Sequence, residues 1–393
     1  MHIHVETAGT LPALVTESDK YEITELTISG ILDDIDIEYI QEMANRKLSV
    51  LDLSGTNLVN NIIKAGAFRG CKCLTRITIP DSITEIGKQA FLRCVNLTSV
   101  NLPESITSIG SSAFSGCESL TGSITIPDSV AVIEESVFSK CSSLTGIIIP
   151  ESVTSIGDYA FYECTYLTGI IIPGNVTSIG DSAFNDCNSL TSITIPDSVT
   201  EIGSYAFYDC YCLENITIPD SVTSIGICAF SACKHLTRIT IPNVIIEIVE
   251  HVFTWCIGLE EFIVPEENAH YSAVAGVLFN KDRTSLICYP MAKQDASYII
   301  PDSVTSIRMY AFRSCYNLKS ITIPESIISI ERAAFQGSNN LEEIHNNNPI
   351  PQDITNCFRG VDVDACELYV PKGSYRAYKN AEGWNEFINI IEE

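Results

Sequence analysis

The sequence predicts an α/β solenoid in which one backbone winds through repeated coils, because one pattern of apolar residues recurs along most of the chain. A single Phe marks each coil, and nine of the eleven intervals between these residues are 23 residues long. One interval is 24 residues and another is 59. The marking residues are Phe68, Phe91, Phe114, Phe138, Phe161, Phe184, Phe207, Phe230, Phe253, Phe312, Phe335 and Phe358.

Each coil is expected to contain one strand and one or two helical turns. In a representative coil, Leu167 to Ile172 is rich in β-branched residues and ends at Pro173, which lacks an N–H and closes the strand. The spacing from Gly157 to Cys164 fits a short helix that buries Phe161. Stacked coils would therefore form a right-handed solenoid with a parallel concave β-sheet and short helices on the convex side.

One coil cannot bury its own apolar face, so we expect both ends of the solenoid to be capped. Asp34 to Arg46 has the spacing of an amphipathic helix in the opening cap. A second helix, over Ser374 to Asn380, is expected to bring aromatic rings over the last coil, and residues 390–393 to end in solvent. The aromatic residues of this closing cap are Tyr375, Tyr378, Trp384 and Phe387.

The 59-residue interval contains an insertion. Its segment GVLFNKDRTSLICYP, Gly276 to Pro290, has two apolar runs around a polar turn at Asn280 to Thr284, and it predicts a β-hairpin projecting from the solenoid. The predicted organisation is an N-terminal cap with the first coils (1–60), a solenoid (61–265), the hairpin insertion (266–300), continuing repeats (301–366) and a C-terminal cap (367–393).

The coil resembles that of the BspA-like bacterial leucine-rich-repeat surface proteins, which follows IPxxVxxIxxxAFxxCxxLxxI. The segment Ile218 to Ile239 reads IPDSVTSIGICAFSACKHLTRI, and the pattern recurs from about Phe68 to Pro324. It departs at Ser338, which replaces the repeated Cys, and at Asn243. The resemblance implies a parallel leucine-rich-repeat solenoid, export to the cell surface or beyond, adhesion to other proteins, and no catalytic residues.

Composition excludes several partners. The formal charge of -26 disfavours nucleic acid and anionic membranes, since both are bound by clustered Lys and Arg. No segment has the roughly 18 consecutive apolar residues of a membrane helix. The start of the sequence has no basic-then-apolar signal pattern, so surface or secreted localisation assumes an export signal outside this sequence.

Sixteen cysteines raise the question of disulfides or zinc. Ten share one repeat position and should form a ladder whose in-register side chains point the same way, a poor geometry for bridging, so we expect buried thiols. The CxC spacings lack a matching His pair, so no metal is expected. A row of acidic residues after the strand-ending prolines leaves a cation row as a minor alternative to ordinary turn chemistry. The ladder residues are Cys71, Cys94, Cys117, Cys141, Cys164, Cys187, Cys210, Cys233, Cys256 and Cys315.

The strand residues on the concave surface are mostly short hydroxyls, but the row also contains isoleucines, two of which lie on adjacent coils. Ile148 and Ile171 each follow a glycine by two residues and predict an exposed apolar floor on which a partner side chain can dock. The alternative is that Ile merely suits a strand. The candidate binding surface comprises Thr125, Gly146, Ile148, Gly169, Ile171, Thr194 and Thr217.

A second contact face is possible at four tyrosines, although these rings more simply pack over neighbouring turns: Tyr159, Tyr162, Tyr205 and Tyr208. No converging set of reactive groups stands out, and the six histidines are scattered, so we predict neither an enzyme nor a cofactor. The predicted function is non-catalytic binding of an extracellular protein or glycan. The alternative is a structural spacer or cytosolic scaffold.

Overall fold

The computed structural model describes residues 1–248 and 251–393. The chain forms two compact units, one of residues 1–213 with 224–229 and the other of residues 214–223 with 230–393. Each unit is a parallel-strand β-solenoid of stacked coils with few helices. We call the strand that ends at a coil's proline, and each strand stacked in line with it, a front strand. The strand that follows the proline, and each strand stacked in line with that one, is a back strand.

In the first unit the coils pair in register through both strands. The front strands are His2–Val5, Glu25–Leu32, Val50–Leu58, Arg76–Thr78 and Ser99–Val100 in one sheet, Gly122–Thr125 with Leu144–Ile148, and Gly169–Ile171 with Ser192–Thr194. The back strands are Ile62–Ile63, Glu85–Ile86 and Ser108–Ile109, followed by Val132–Ile133, Ser155–Ile156, Ser178–Ile179, Glu201–Ile202 and Ser224–Ile225.

The second unit repeats this arrangement and contains the insertion. Its front strands are Asn215–Thr217, Arg238–Thr240 and Glu261–Ile263, followed by Ser297–Ile299, Ser320–Ile323, Glu343–Asn346, Glu367–Val370 and Asn389–Glu392. Its other sheet contains Tyr271–Val274, Val277–Asn280, Ser285–Cys288, Ser306–Ile307 and Ser329–Ile330.

Helices are confined to the two ends of the described sequence. Asp34–Ala44 is the longest, and its start is fixed by Asp33, whose carboxylate accepts hydrogen bonds from the N–H groups of Ile35 and Asp36. The remaining helical segments are Leu11–Leu14, Glu17–Lys20, the 3₁₀ turn Val59–Asn61, Tyr375–Asn380 and the 3₁₀ turn Trp384–Glu386.

The short helices predicted within the coils are wrong, because a run of tight turns replaces them. Between Gly157 and Cys164, Tyr159 and Glu163 adopt a left-handed conformation with φ of 55°. Along this run the N–H groups alternate between two acceptors. One is the carbonyl three residues earlier in the same coil, and the other is a carbonyl of the next coil, as in the bond from Phe161 N to Ala183 O at 2.8 Å. Helices and such turns both bring residues three apart to one side, so the apolar spacing could not separate them.

Phe rings form the centre of both cores, as the repeat predicts. All twelve marking residues are buried, and from Phe68 to Phe207 successive rings stack with centroids 5.2 to 5.9 Å apart. This spacing exceeds face-to-face contact, so the rings are offset, the arrangement that their quadrupoles favour.

The insertion contains the expected turn but does not project. Val277–Asn280 pairs antiparallel with Ser285–Cys288, and the Asn280 side chain accepts a hydrogen bond from Ser285 N across the turn. Ser285–Cys288 then pairs in parallel with Ser306–Ile307, and Phe279 is buried in the core. The hairpin is therefore part of the stack.

Aromatic side chains pack together near the C-terminal end of the second unit. Trp384 and Phe387 are fully buried, with ring centroids 5.4 and 5.1 Å from Phe358. Tyr375, expected among them, is exposed. The final residues 391–393 are exposed, as predicted, although Asn389–Glu392 also pairs in parallel with Glu367–Val370.

Candidate binding surface

The outward face of the front strands in the first unit contains six of the seven candidate residues. Strand pairing places Ile148 opposite Thr125 and Ile171 opposite Thr194. Thr168 N donates to Thr145 O and so joins the two Ile-bearing coils. Thr217 lies on a front strand of the second unit, where it is also exposed, and is therefore described apart from the others.

Because side chains alternate along a strand, Ile147 and Ile170 point into the core, whereas the next residues, Ile148 and Ile171, point outward. Ile148 is 56% exposed and Ile171 is 81% exposed. Water therefore contacts two neighbouring aliphatic side chains that a folded core would normally cover.

A shallow depression of about 420 Å³ lies beside Ile171. Small residues form this depression, because Gly146 and Gly169 pair with Ser123 and Ser192 on the adjacent strands. A Cβ added to Gly169 would meet no atom within 4 Å, so this glycine leaves open space that the fold does not need. None of the four front strands from Gly122 to Thr194 carries a charged residue, and a charge-depleted centre is typical of protein interfaces.

Hydroxyl side chains beside this face join neighbouring coils by hydrogen bonds. Thr145 Oγ1 donates to Gly122 O at 3.1 Å, and Thr168 Oγ1 donates to Thr145 O at 3.3 Å. These hydrogen bonds join each of the two Ile-bearing coils to the coil before it.

The tyrosine group consists of two edge-to-face pairs, each within its own coil. The centroids of Tyr159 and Tyr162 are 5.8 Å apart, and those of Tyr205 and Tyr208 are 5.7 Å apart. A hydrogen bond with the Glu163 carboxylate, together with partial burial, raises the pKa of Tyr162 to about 12. The rings mainly pack on one another.

The cysteine ladder is held by hydrogen bonds to the backbone. Seven thiols donate to the carbonyl oxygen of the marking Phe one coil earlier, at 2.9 to 3.2 Å, and no disulfide occurs in the described sequence. Burial raises the pKa of the Cys164 and Cys256 thiols to about 12. The seven donors are Cys94, Cys117, Cys141, Cys164, Cys187, Cys210 and Cys256.

Within residues 1–248 and 251–393, no three His, Cys, Asp or Glu side chains are grouped so as to hold a metal ion. No helix in the same residues is long and apolar enough to cross a membrane.

Stacked coils with parallel strands and a buried apolar residue at each repeat position are typical of a leucine-rich repeat protein. The chain belongs to the BspA type leucine-rich repeat family, whose repeat region it matches in six copies over residues 61–189, 154–275 and 291–371. This confirms the family inferred from the coil pattern. No curated protein matches the chain.

Solved structures include relatives with similar repeats. A leucine-rich repeat protein from Bacteroides ovatus is 29% identical over 86% of this chain and 82% of that one, with a TM-score of 0.66. A leucine rich cell surface protein from Faecalibacterium prausnitzii is 28% identical over 88% and 77%, with a TM-score of 0.45. The pneumococcal vaccine antigen PcpA is 22% identical over 69% and 79%, with a TM-score of 0.42.

Proposed function

We propose that this chain is a non-catalytic, cell-surface or secreted protein that binds another protein through the outward face around Ile148 and Ile171. The observation that carries the proposal is the pair of exposed Ile side chains beside the glycine-lined depression. Exposed aliphatic area on strands that carry no charge favours a protein side chain over a glycan, whose hydroxyl groups need polar partners. Family membership supports placement at the surface.

Burial of the thiols is compatible with that placement. An oxidising compartment converts accessible cysteines to disulfides, but the ladder thiols are buried and hydrogen-bonded. They can therefore persist as thiols outside the cell.

The direct test measures binding of the full chain to a panel of immobilised extracellular-matrix and host-surface proteins. Ile171→Arg and Ile148→Arg place a charge in the contact, and Gly169→Val fills the depression in open space without a backbone clash. Each should weaken binding about tenfold or more. Ile328→Arg is the matched control, because Ile328 is 77% exposed but lies in the second unit. Unchanged binding by all three variants would exclude this face.

A structural spacer or cytosolic scaffold is the second candidate, favoured by the regular inter-coil hydrogen bonds of Thr145 and Thr168. A spacer would bind none of the panel while anchored in the cell envelope. Cell fractionation separates these cases, since a chain found only in the cytosol contradicts the surface proposal.

The proposal also includes right-handed winding and capping by residues 1–60 and 367–393. The contacts of Trp384 and Phe387 with Phe358 support the closing cap. Trp384→Ala should then lower the thermal midpoint of the full chain, whereas Tyr375→Ala, at an exposed position, should leave it unchanged.

A further inference from the structure

The aromatic stack of the second unit is interrupted at the insertion. Phe253 packs edge-on against Phe262 at 5.2 Å, and Tyr289 stacks on Phe312 at 5.3 Å. Across the described residues of this unit, no ring contact joins Phe253 to Tyr289. A cavity of about 80 Å³ opens beside this break, and its chemistry differs from that of the regular coils. Its polar lining includes His251, Cys288, Arg308, Tyr310, Arg313 and Glu331.

Arg313 lies in this cavity between two aromatic rings. Its guanidinium carbon is 4.4 Å from the ring centroid of Trp255 and 4.8 Å from that of Tyr310. Burial lowers the pKa of Arg313, because its charged guanidinium is partly removed from water. No ion pair to a carboxylate of the described residues compensates it, although the chain carries a net charge of -26.

The neighbouring cation is already neutralised. Arg308 forms an ion pair with Glu331 at 3.0 Å, and the second oxygen of that carboxylate accepts a hydrogen bond from Met309 N at 2.9 Å. Among the described residues that line the cavity, Glu331 is the single carboxylate, and both of its oxygens are occupied. Arg313 keeps a planar set of N–H donors suited to bidentate contact with a carboxylate from outside.

We propose that this cavity binds the carboxylate of an acidic sugar, such as a hexuronic acid, with Arg313 as the anion contact. The cavity has room for a carboxylate but not for a whole ring, so the pyranose lies at the rim. There Trp255, which is 43% exposed, offers a flat apolar surface to the C–H face of the sugar. An acidic peptide is disfavoured because the chain repels a segment with several negative charges, whereas a sugar with one carboxylate meets little repulsion.

Tryptophan fluorescence provides a direct readout in the full chain. The protein has two tryptophans, and Trp384 is fully buried, so a ligand at the rim changes the emission of Trp255. Titration with methyl glucuronide should give a saturable change, and methyl glucoside, the same ring without the carboxylate, should bind about tenfold or more weakly. Trp255→Phe should abolish the fluorescence change.

Variants separate the anion contact from general effects. Arg313→Gln should weaken methyl glucuronide binding about tenfold or more, and Arg313→Lys should fall between it and the parent chain because a point charge lacks the fork geometry. Arg359→Gln, at an exposed arginine outside the cavity, should bind as the parent does. Circular dichroism melts confirm that each variant is folded.

Several results overturn the proposal. These are equal responses to glucuronide and glucoside, an unchanged affinity in folded Arg313→Gln, or no response to glucuronide while a capped peptide with one Glu binds. The Ile171 variants lie in the other unit and leave this titration unchanged, so failure here and failure of the proposed function are distinguishable.

Discussion

The Sγ of Cys164 donates a hydrogen bond to the carbonyl oxygen of Phe138, one coil earlier, at 3.1 Å. The same bond recurs along the ladder, and Ser338, which departs from the repeated Cys, makes it too, with Oγ 2.5 Å from Phe312 O. Cys and Ser both fill this position with a small side chain that donates a hydrogen bond, whereas Val361, three residues after Phe358, fills the same place without a donor. Cys adds apolar volume and Ser a stronger donor, which explains why the fold accepts both.

Substitutions of Cys164 should show how much the hydrogen bond contributes inside the stack. Cys164→Ser is expected to keep the bond and change the free energy of unfolding by less than about 1 kcal/mol. Cys164→Val, which lacks a donor and is branched, should cost about 1–3 kcal/mol in this fully buried site. Urea unfolding followed by circular dichroism measures both. A Val variant as stable as the Ser variant would show that the hydrogen bond contributes nothing.

Thiol labelling should divide the cysteines by burial. Because burial raises the pKa of Cys164 to about 12, roughly one thiol in 10⁴ is ionised at pH 8, and the ladder should resist iodoacetamide. Cys73 and Cys212, both partly exposed, should react first. Cys288 should lag, since burial raises the pKa of its thiol to about 12. Peptide mass spectrometry reads the order, and labelling of Cys164 as fast as Cys73 would contradict it.

The same thiols predict a loss of stability at alkaline pH. The ordinary thiol pKa is 9.0, whereas Cys164 and Cys256 reach about 12 when folded. Above pH 9 the unfolded chain releases these protons and the folded chain retains them. The free energy of unfolding therefore falls as the pH rises, up to pH 12. Each such thiol should remove up to about 1.4 kcal/mol per pH unit. Thermal midpoints from pH 8 to 10.5 in reductant should fall, less steeply in Cys164→Ser.

Much of this fold follows from the sequence because each coil faces the same physical demand. Every 23 residues one Phe and, in most coils, one small thiol must be buried against the preceding coil, and these residues are buried along the repeats. The outward position of Ile148 and Ile171 follows from the period of two in a strand. These features depend on local spacing, which a single sequence contains.

Other features depend on contacts between coils, which local spacing does not specify. The left-handed residues Tyr159 and Glu163 are held by hydrogen bonds to the next coil, and nothing in their own chemistry favours that conformation. Arg313 and Trp255 are 58 positions apart in sequence, and only the stack brings them together. Tyr289 lies 23 residues before Phe312 and so has the repeat spacing, but a pattern defined by Phe alone does not include it.

Tyr289 should behave as a marking residue of the repeat. Its ring is buried and stacks on Phe312, and its hydroxyl bonds the Asp295 carboxylate at 3.3 Å. Tyr289→Phe should keep the stack and cost less than about 1 kcal/mol, whereas Tyr289→Ala should cost about 3–5 kcal/mol by leaving a cavity. Chemical unfolding measures both. A severe loss in the Phe variant would mean that the hydroxyl matters more than the ring.

Replacement by Ala should have different effects at Gly226, which is crowded by backbone atoms, and at Gly169, which faces open space. At Gly226 a Cβ would lie 2.3 Å from Ser204 N and 2.6 Å from Gly203 C, backbone atoms of the preceding coil that cannot move without breaking the bond from Gly226 N to Ile202 O. Gly226→Ala should therefore cost more than about 2 kcal/mol. Gly169→Ala, in open space, should be neutral or stabilise by about 0.5 kcal/mol, because Ala loses less backbone entropy on folding. Thermal unfolding of the two variants decides the matter, and equal stability would show that the coils are not in close backbone contact at Gly226.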